Sequence, residues 1–238
     1  MIRIRPSDLI GKRLFIIVAH PDDESFVAAG TIRKNTDAHG STVVLCATRG
    51  ERGASHLSKP LTMKALGMIR SRELRRASKL MGVTTLVQLG IPDGGVDRHQ
   101  ARLFKEASAL VRRHAPDIIV SFGPDGISGH LDHIAVHQVA LRVSRATRTP
   151  LLCAALPFLL TKGSLPWLKA RRSHPHYARR IVRLRPTLRV RVDPAFKLRV
   201  LRTHRSQFDR STPFSGFPKF IARSILSAEY FSLFHAKK

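Results

Sequence analysis

The sequence predicts an α/β fold: a Rossmann-like, doubly wound, mostly parallel sheet followed by a basic C-terminal α+β elaboration. Two observations carry that expectation. Over the first two-thirds of the chain, short apolar runs alternate with longer amphipathic segments, the rhythm of strand–helix units that build a parallel sheet. After Pro157 that rhythm breaks, and apolar residues begin to alternate with arginine.

Leu14 to Ala19 is an apolar run ending at a polar turn, and reads as a buried strand. A helix follows over Ser25 to Lys34, then a second strand over Thr42 to Ala47. Thr62 to Met81 reads as a long amphipathic helix, with Leu66, Ile69, Leu74, Ala77 and Leu80 near helical spacing and Gly82 where a C-cap belongs. Thr84 to Leu89 is a third strand, Ala101 to His114 a helix stopped by Pro116, and Asp117 to Phe122 a fourth strand. Asp132 to Val143 reads as a helix and Leu151 to Leu156 as a fifth strand. Residues 161–180, rich in Pro, His, Arg and Lys, read as irregular and exposed. Residues 181–192 alternate with period two, which predicts a half-buried strand pair turning at Arg185-Pro186-Thr187. Pro194 to Phe208 and Phe217 to Phe234 read as helices. With no internal repeat and no clear linker, the expectation is one domain over 1–238, its core at 12–156 and its elaboration at 157–238.

Of the 238 residues 43% are apolar, enough for a substantial core and too many for a disordered chain. No apolar run reaches the ~18 residues a bilayer span needs. The apolar run behind the basic N-terminus is too short for a signal-peptide core. Cys46 and Cys153 lie in apolar stretches, which excludes a disulfide framework and fits a reducing compartment, so a cytoplasmic location is expected. The net charge of +26 is uneven: residues 1–133 carry +7 and residues 134–238 carry +19. Such a field attracts anionic membrane, nucleic acid or acidic substrates, and a compositional bias of the source, with 30 Arg against 12 Lys, accounts for it equally. Only 2 Tyr and 1 Trp offer stacking groups, and no helix-turn-helix, finger or RNA-binding signature is present, which argues against nucleic acid. Peripheral contact with anionic membrane stays open; the sequence carries no signal for oligomeric state.

The chemistry concentrates in two clusters. The first strand ends in Ala19-His20-Pro21-Asp22-Asp23-Glu24, and the fourth is followed by Gly129-His130-Leu131-Asp132-His133. In the common strand order 3-2-1-4-5 these two strands are neighbours at the switch point, where ligands bind. One aspartate of the first cluster would suffice to cap the next helix; the histidine and the second aspartate would then be surplus. His20, Asp23 and His133 supply two imidazoles and one carboxylate. That is the ligand set of an open catalytic zinc site and, equally, of a non-haem Fe(II) facial triad. Asp22 is then placed to take a proton from the attacking water. His130 faces the substrate, with Asp132 holding its ring and favouring its protonated form. These groups suit hydrolysis of an amide or ester.

The paired AHPDDE and GHLDH motifs resemble the LmbE-like, or PIG-L-type, zinc-dependent de-N-acetylases. Similarity extends to Thr48-Arg49-Gly50-Glu51, Arg70-Ser71-Arg72-Glu73, Leu89-Gly90-Ile91-Pro92-Asp93-Gly94 and His204-Arg205-Ser206-Gln207. The resemblance implies removal of acetyl from an N-acetylglucosamine-type unit, free or lipid-linked, with one Zn²⁺ per chain, Fe²⁺ being the alternative. It implies zinc ligands at His20, Asp23 and His133, a base at Asp22, and an oxyanion-side histidine at His130. Arg70 and Asp93 fall where some members hold sugar hydroxyls, and Glu51 and Ser128 are placed on the substrate side with them. Some thiol-pathway members carry Tyr where this chain has Ser128, and many carry Pro where it has Leu131. His137, one turn beyond His133, reads either as a support for the site or as a helix-surface residue. The alternatives are an amidase of another substrate in the same family, and a non-enzymatic basic protein that binds nucleic acid or membrane.

Overall fold

A computed structural model describes residues 5–157, 160, 184–208 and 218–234. Strand β1 (Arg13–Val18), helix α1 (Asp23–Asp37), β2 (Ser41–Thr48), α2 (Met63–Met81), β3 (Thr85–Ile91), α3 (Gln100–His114), β4 (Ile118–Phe122), α4 (Leu131–Thr147) and β5 (Leu151–Ala154) follow one another as the alternation predicts. After them come β6 (Leu188–Arg191), α5 (Pro194–Leu201), α6 (Lys219–Ser227) and β7 (Ala228–Phe234). Helix α2 begins where the Thr62 hydroxyl accepts from the Ala65 N–H at 3.2 Å, and ends at Gly82, whose φ of 84° makes the left-handed cap.

The strands form one sheet in the order β3-β2-β1-β4-β5-β7-β6. The first five are parallel, with Leu14 of β1 opposite Thr42 of β2 on one side and Ile118 of β4 on the other. The chain winds outward from β1 to β3, then crosses back to β4, so the order reverses between β1 and β4. There the strands' carboxyl ends open a crevice. Helices α1, α2 and α5 pack together and α3 packs on α4. Right-handed crossovers place the two groups on opposite faces. Between these layers β4 and β5 are buried throughout and β1 is buried from Leu14 on, so their sequences are continuous apolar runs.

The C-terminal region departs from the expectation in three places. Leu188 to Arg191 does form a half-buried strand, with Arg189 and Arg191 exposed, but its partner is β7, which pairs antiparallel with both β6 and β5. The expected first arm of a hairpin falls largely on residues 181–183, outside the described residues, as does the segment 161–180. Phe217 to Phe234 is not one helix: Ala228 to Phe234 is drawn into the ladder between β5 and β6, where pairing on both sides outweighs the helical propensity of Ala, Glu and Leu. Pro194 to Phe208 is helical only to Leu201. Beyond it Thr203 and His204 donate to the carbonyls of Val200 and Leu201, closing turns in place of another helical turn.

A buried charge ties this region to the core. Glu229 of β7 accepts from the N–H groups of Gly30 and Thr31 on α1 at 2.9 and 2.8 Å, and pairs with Lys197 Nζ of α5 at 2.9 Å. Lys197 also donates to the Phe26 carbonyl at 2.7 Å. Glu229→Ala removes the anion and leaves the ammonium buried and unpaired. We expect a loss of about 3–5 kcal/mol in urea unfolding.

Candidate active site

Where β1 ends, the chain makes the turn His20-Pro21-Asp22-Asp23 at the crevice. Asp22 takes φ 114°, ψ −27°, a left-handed conformation rare for a residue with a Cβ and costing about 1–3 kcal/mol. It occupies the N-cap position of α1, yet its carboxylate makes no capping hydrogen bond. That side chain is directed elsewhere: Asp22 Oδ1 lies 3.4 Å from the Arg70 guanidinium. Asp23, the first residue of α1, accepts the His20 N–H through Oδ2 at 2.7 Å.

Three donor groups converge. His20 Nδ1 lies 3.2 Å from His133 Nε2, and Asp23 reaches the first nitrogen through Oδ2 at 3.4 Å and the second through Oδ1 at 3.3 Å. A tetrahedral ion with bonds of about 2.0–2.1 Å needs ligand separations of roughly 3.3–3.4 Å, and these contacts are of that size, with one or the other Asp23 oxygen as the third ligand. The far nitrogens fix the orientation of both rings. His133 Nδ1 donates to the Gly126 carbonyl at 3.0 Å, and its ring stacks on Phe122 with centroids 4.1 Å apart. His20 Nε2 meets Asp132 and Asp93, both at 3.2 Å. His20 Nδ1 and His133 Nε2 are therefore the nitrogens left to face each other and Asp23, the arrangement by which outer carboxylates and carbonyls orient metal-binding histidines. His130, His20 and His133 form one wider donor group, and His20, Asp93 and Asp132 another.

The electrostatics are those of a cation site. Burial opposes charge on His20, but hydrogen bonds to Asp132, Asp23 and Asp93 hold its pKa well above the ordinary value. Burial also opposes charge on Asp23, yet His133 and His20 keep its carboxyl well below the usual range. Asp93 is likewise held down, to about 2. Asp22 goes the other way, pushed up to about 6 by burial and by Asp23 against the pull of Arg70.

Several expected roles change. Asp132 does not steady the His130 ring through its carboxylate: that group accepts from Gly94 and Val96 N–H at 2.7 and 3.1 Å and reaches His20. What His130 receives is the Asp132 backbone N–H, on Nδ1, at 3.1 Å. Burial, then repulsion from His133 and His20, lower the His130 pKa to about 3 against the pull of Asp132, which favours the neutral ring with its proton on Nε2. Arg70 and Asp93 are buried and committed to the protein. Arg70 donates to the Gly50 and Pro21 carbonyls at 2.8 and 2.6 Å, and Asp93 accepts the Arg52 N–H and meets His20. Glu51 Oε1 accepts the Asp93 N–H at 2.9 Å, which joins the loops after β2 and β3. Ser128 sits half-exposed on the loop before His130. His137 is buried, not on the surface, and bonds the Phe122 carbonyl at 2.8 Å.

Glycines make two of these contacts possible. Gly50 (φ 64°) lies against the Arg70 guanidinium, where a Cβ would overlap it. Gly126 (φ 61°) would set a Cβ 2.6 Å from that of His133. Residue-by-residue reading missed Glu24 and His204, both fully buried behind Asp22. Their signals were the last letter of AHPDDE and the first of the His204-Arg205-Ser206-Gln207 stretch.

Residues 15–144 match the family model of the GlcNAc-PI de-N-acetylases, PIG-L. The chain is 34% identical over 166 residues to a 1D-myo-inositol 2-acetamido-2-deoxy-alpha-D-glucopyranoside deacetylase of Streptomyces avermitilis, covering 60% of this chain and 56% of that protein. It is 32% identical over 129 residues to a probable N-acetyl-alpha-D-glucosaminyl L-malate deacetylase 2 of Bacillus anthracis, covering 53% and 57%. The matches thus span little more than half the length of these relatives. In fold it is similar to the N,N'-diacetylchitobiose deacetylase of Pyrococcus horikoshii, with a TM-score of 0.66 and 20% identity over 94% of this chain and 84% of that one.

Asp132→Ala takes one of two carboxylates from His20 Nε2 while sparing all three converging donors. Competition with a chromogenic chelator is expected to show divalent-cation affinity lowered by about 10–100-fold.

Proposed function

The chain belongs to the GlcNAc-PI de-N-acetylase family, and from that premise we propose that it is a metal-dependent hydrolase. It removes the acetyl group from an N-acetyl amino sugar of the GlcNAc type carried on a small-molecule or lipid-linked conjugate. One observation carries the reading: His20, Asp23 and His133 converge at 3.2–3.4 Å with the Asp22 carboxylate beside them and outside the triad. We assign zinc to the triad, on two imidazoles and one carboxylate. Fe²⁺ uses the same donors.

A divalent cation at this triad supplies Lewis-acid activation of the attacking water and of the amide carbonyl. The chain's own groups do the rest. Asp22, raised toward neutrality by burial and kept in place by Arg70, accepts the proton of the water and passes it to the departing amine. His130, neutral with its proton on Nε2, donates to the carbonyl oxygen as that oxygen gains charge. Arg70, Asp93, Asp132 and Glu51 position these groups, and Ser128 lies on the substrate side. Acetate and a free amine are the products.

A single-domain arrangement, core 12–156 and elaboration 157–238, is supported by β6 and β7 extending the same sheet as β1 to β5. Peripheral contact with anionic membrane is supported by the exposed face of α2, which presents Lys64, Arg72, Arg75, Arg76 and Lys79 with Met68 among them and no exposed carboxylate. No helix among the described residues is long and apolar enough to cross a membrane.

Metal content, turnover and vesicle binding test these readings. Elemental analysis should find about one equivalent of metal. A chelator should stop acetate release from 2-acetamido-2-deoxyglucosides, and Asp22→Asn should keep the metal while lowering kcat by about 10²–10⁴-fold. Wild-type turnover in that variant overturns the assignment of the base. Vesicles containing phosphatidylserine should co-sediment the protein at low salt, whereas phosphatidylcholine vesicles should not. Arg72→Glu with Arg76→Glu should cut that binding by about tenfold or more, each cation near the surface being worth about 1 kcal/mol.

A further inference from the structure

A left-handed aspartate persists only if its surroundings over-determine it. Arg70 holds one side of the Asp22 turn, through the Pro21 carbonyl and the Asp22 carboxylate. The other side is held by Glu24, whose Oε2 accepts the Asp22 N–H at 3.1 Å. Glu24 has no freedom of its own. Its Oε1 accepts from Ser25 Oγ at 2.5 Å, and His204 Nε2 lies 3.1 Å from that oxygen and 3.0 Å from Ser25 Oγ, so it braces the pair; Glu24, Ser25 and His204 are each fully buried.

His204 comes from the turns after α5, outside the stretch that matches the family model. The same short segment is anchored twice more. Ser206 donates to both oxygens of Glu73 on α2, from its N–H at 2.8 Å and its hydroxyl at 2.6 Å. Its carbonyl accepts the His56 N–H at 2.9 Å, and Gln207 donates to the Ala54 carbonyl at 3.2 Å. The segment is a strap across α1, α2 and the loop after β2, with the His204 donor delivered to the one carboxylate that grips the Asp22 backbone.

We propose that His204 is a positioning residue for the base: through Glu24 it fixes the left-handed backbone of Asp22 and so the direction of its carboxylate. This rests on the reading of Asp22 as the base. His204 touches none of the three converging donors in the described contacts, so its removal is separable from loss of metal.

The test uses His204→Leu, which keeps volume and removes the donor, in the zinc-reconstituted full chain. Acetate release from a 2-acetamido-2-deoxyglucoside should show kcat lowered by about 10–100-fold, with KM and metal content within twofold of wild type. Adding His204→Leu to Asp22→Asn should change the residual rate by less than twofold, since the device acts only through Asp22. An equal loss in both backgrounds, or a loss confined to KM or metal content, overturns the proposal. A crystal structure of the variant reads the same device without turnover. Asp22 should leave its left-handed conformation, and an unchanged Asp22 overturns the proposal. If wild type releases no acetate from any such substrate, the deacetylase reading fails, and the crystal structure still decides the role of His204. Should His204→Leu not fold, Ser25→Ala removes the other donor to Glu24 and carries the same expectations.

Discussion

Four carboxylates, those of Asp22, Asp23, Asp93 and Asp132, crowd the carboxyl ends of β1, β3 and β4, and buried charge must be matched. Much of the surrounding structure follows from that one requirement. Asp132 is satisfied by two backbone N–H groups at the start of the loop after β3, which fixes that loop's path. Asp93 takes the Arg52 N–H, which fixes the loop after β2. His20 stands between Asp93 and Asp132 on one nitrogen and Asp23 on the other, and Arg70 reaches in from α2 to Asp22. A divalent ion held by His20, Asp23 and His133 would add to the positive charge that faces these carboxylates.

Much of this was readable in the chain. Continuous apolar runs marked the parallel strands because those strands are covered on both faces, and the motifs at their ends marked the crevice because the order reverses between β1 and β4. Reading failed where a residue's role depends on partners far away in sequence. Nothing near Asp132 says that its carboxylate passes His130 to reach His20, more than a hundred residues earlier. Arg70 is placed on the substrate side by the resemblance alone, and its depth and two carbonyl acceptors are tertiary facts. The stretch Ala228 to Phe234 carries a helix-compatible composition and becomes a strand because β5 and β6 both present free ladder edges.

The C-terminal region is therefore structural support as well as a source of charge. Beyond β5 the sheet gains two antiparallel strands, and the outermost, β6, turns Arg189 and Arg191 to solvent at the edge. Charged side chains on an edge strand discourage another chain from pairing there. Inside, Glu229 and Lys197 bind β7, α5 and α1 together. The position of α1 matters because its first turn carries Asp23 and follows the strained residue Asp22 directly.

The contact between His204 and Glu24 spans 180 residues, and this bears on the order in which a growing chain acquires its parts. All three converging donors have been translated by His133, whereas His204 follows later. At ~5–20 residues per second the interval is of order several seconds. During it the three donors already stand on the nascent chain, while the Glu24 that holds the Asp22 N–H still lacks His204. Meeting of the donors and bracing of the Asp22 turn are then separate steps in folding, the second waiting on a long-range closure of the kind that folds late.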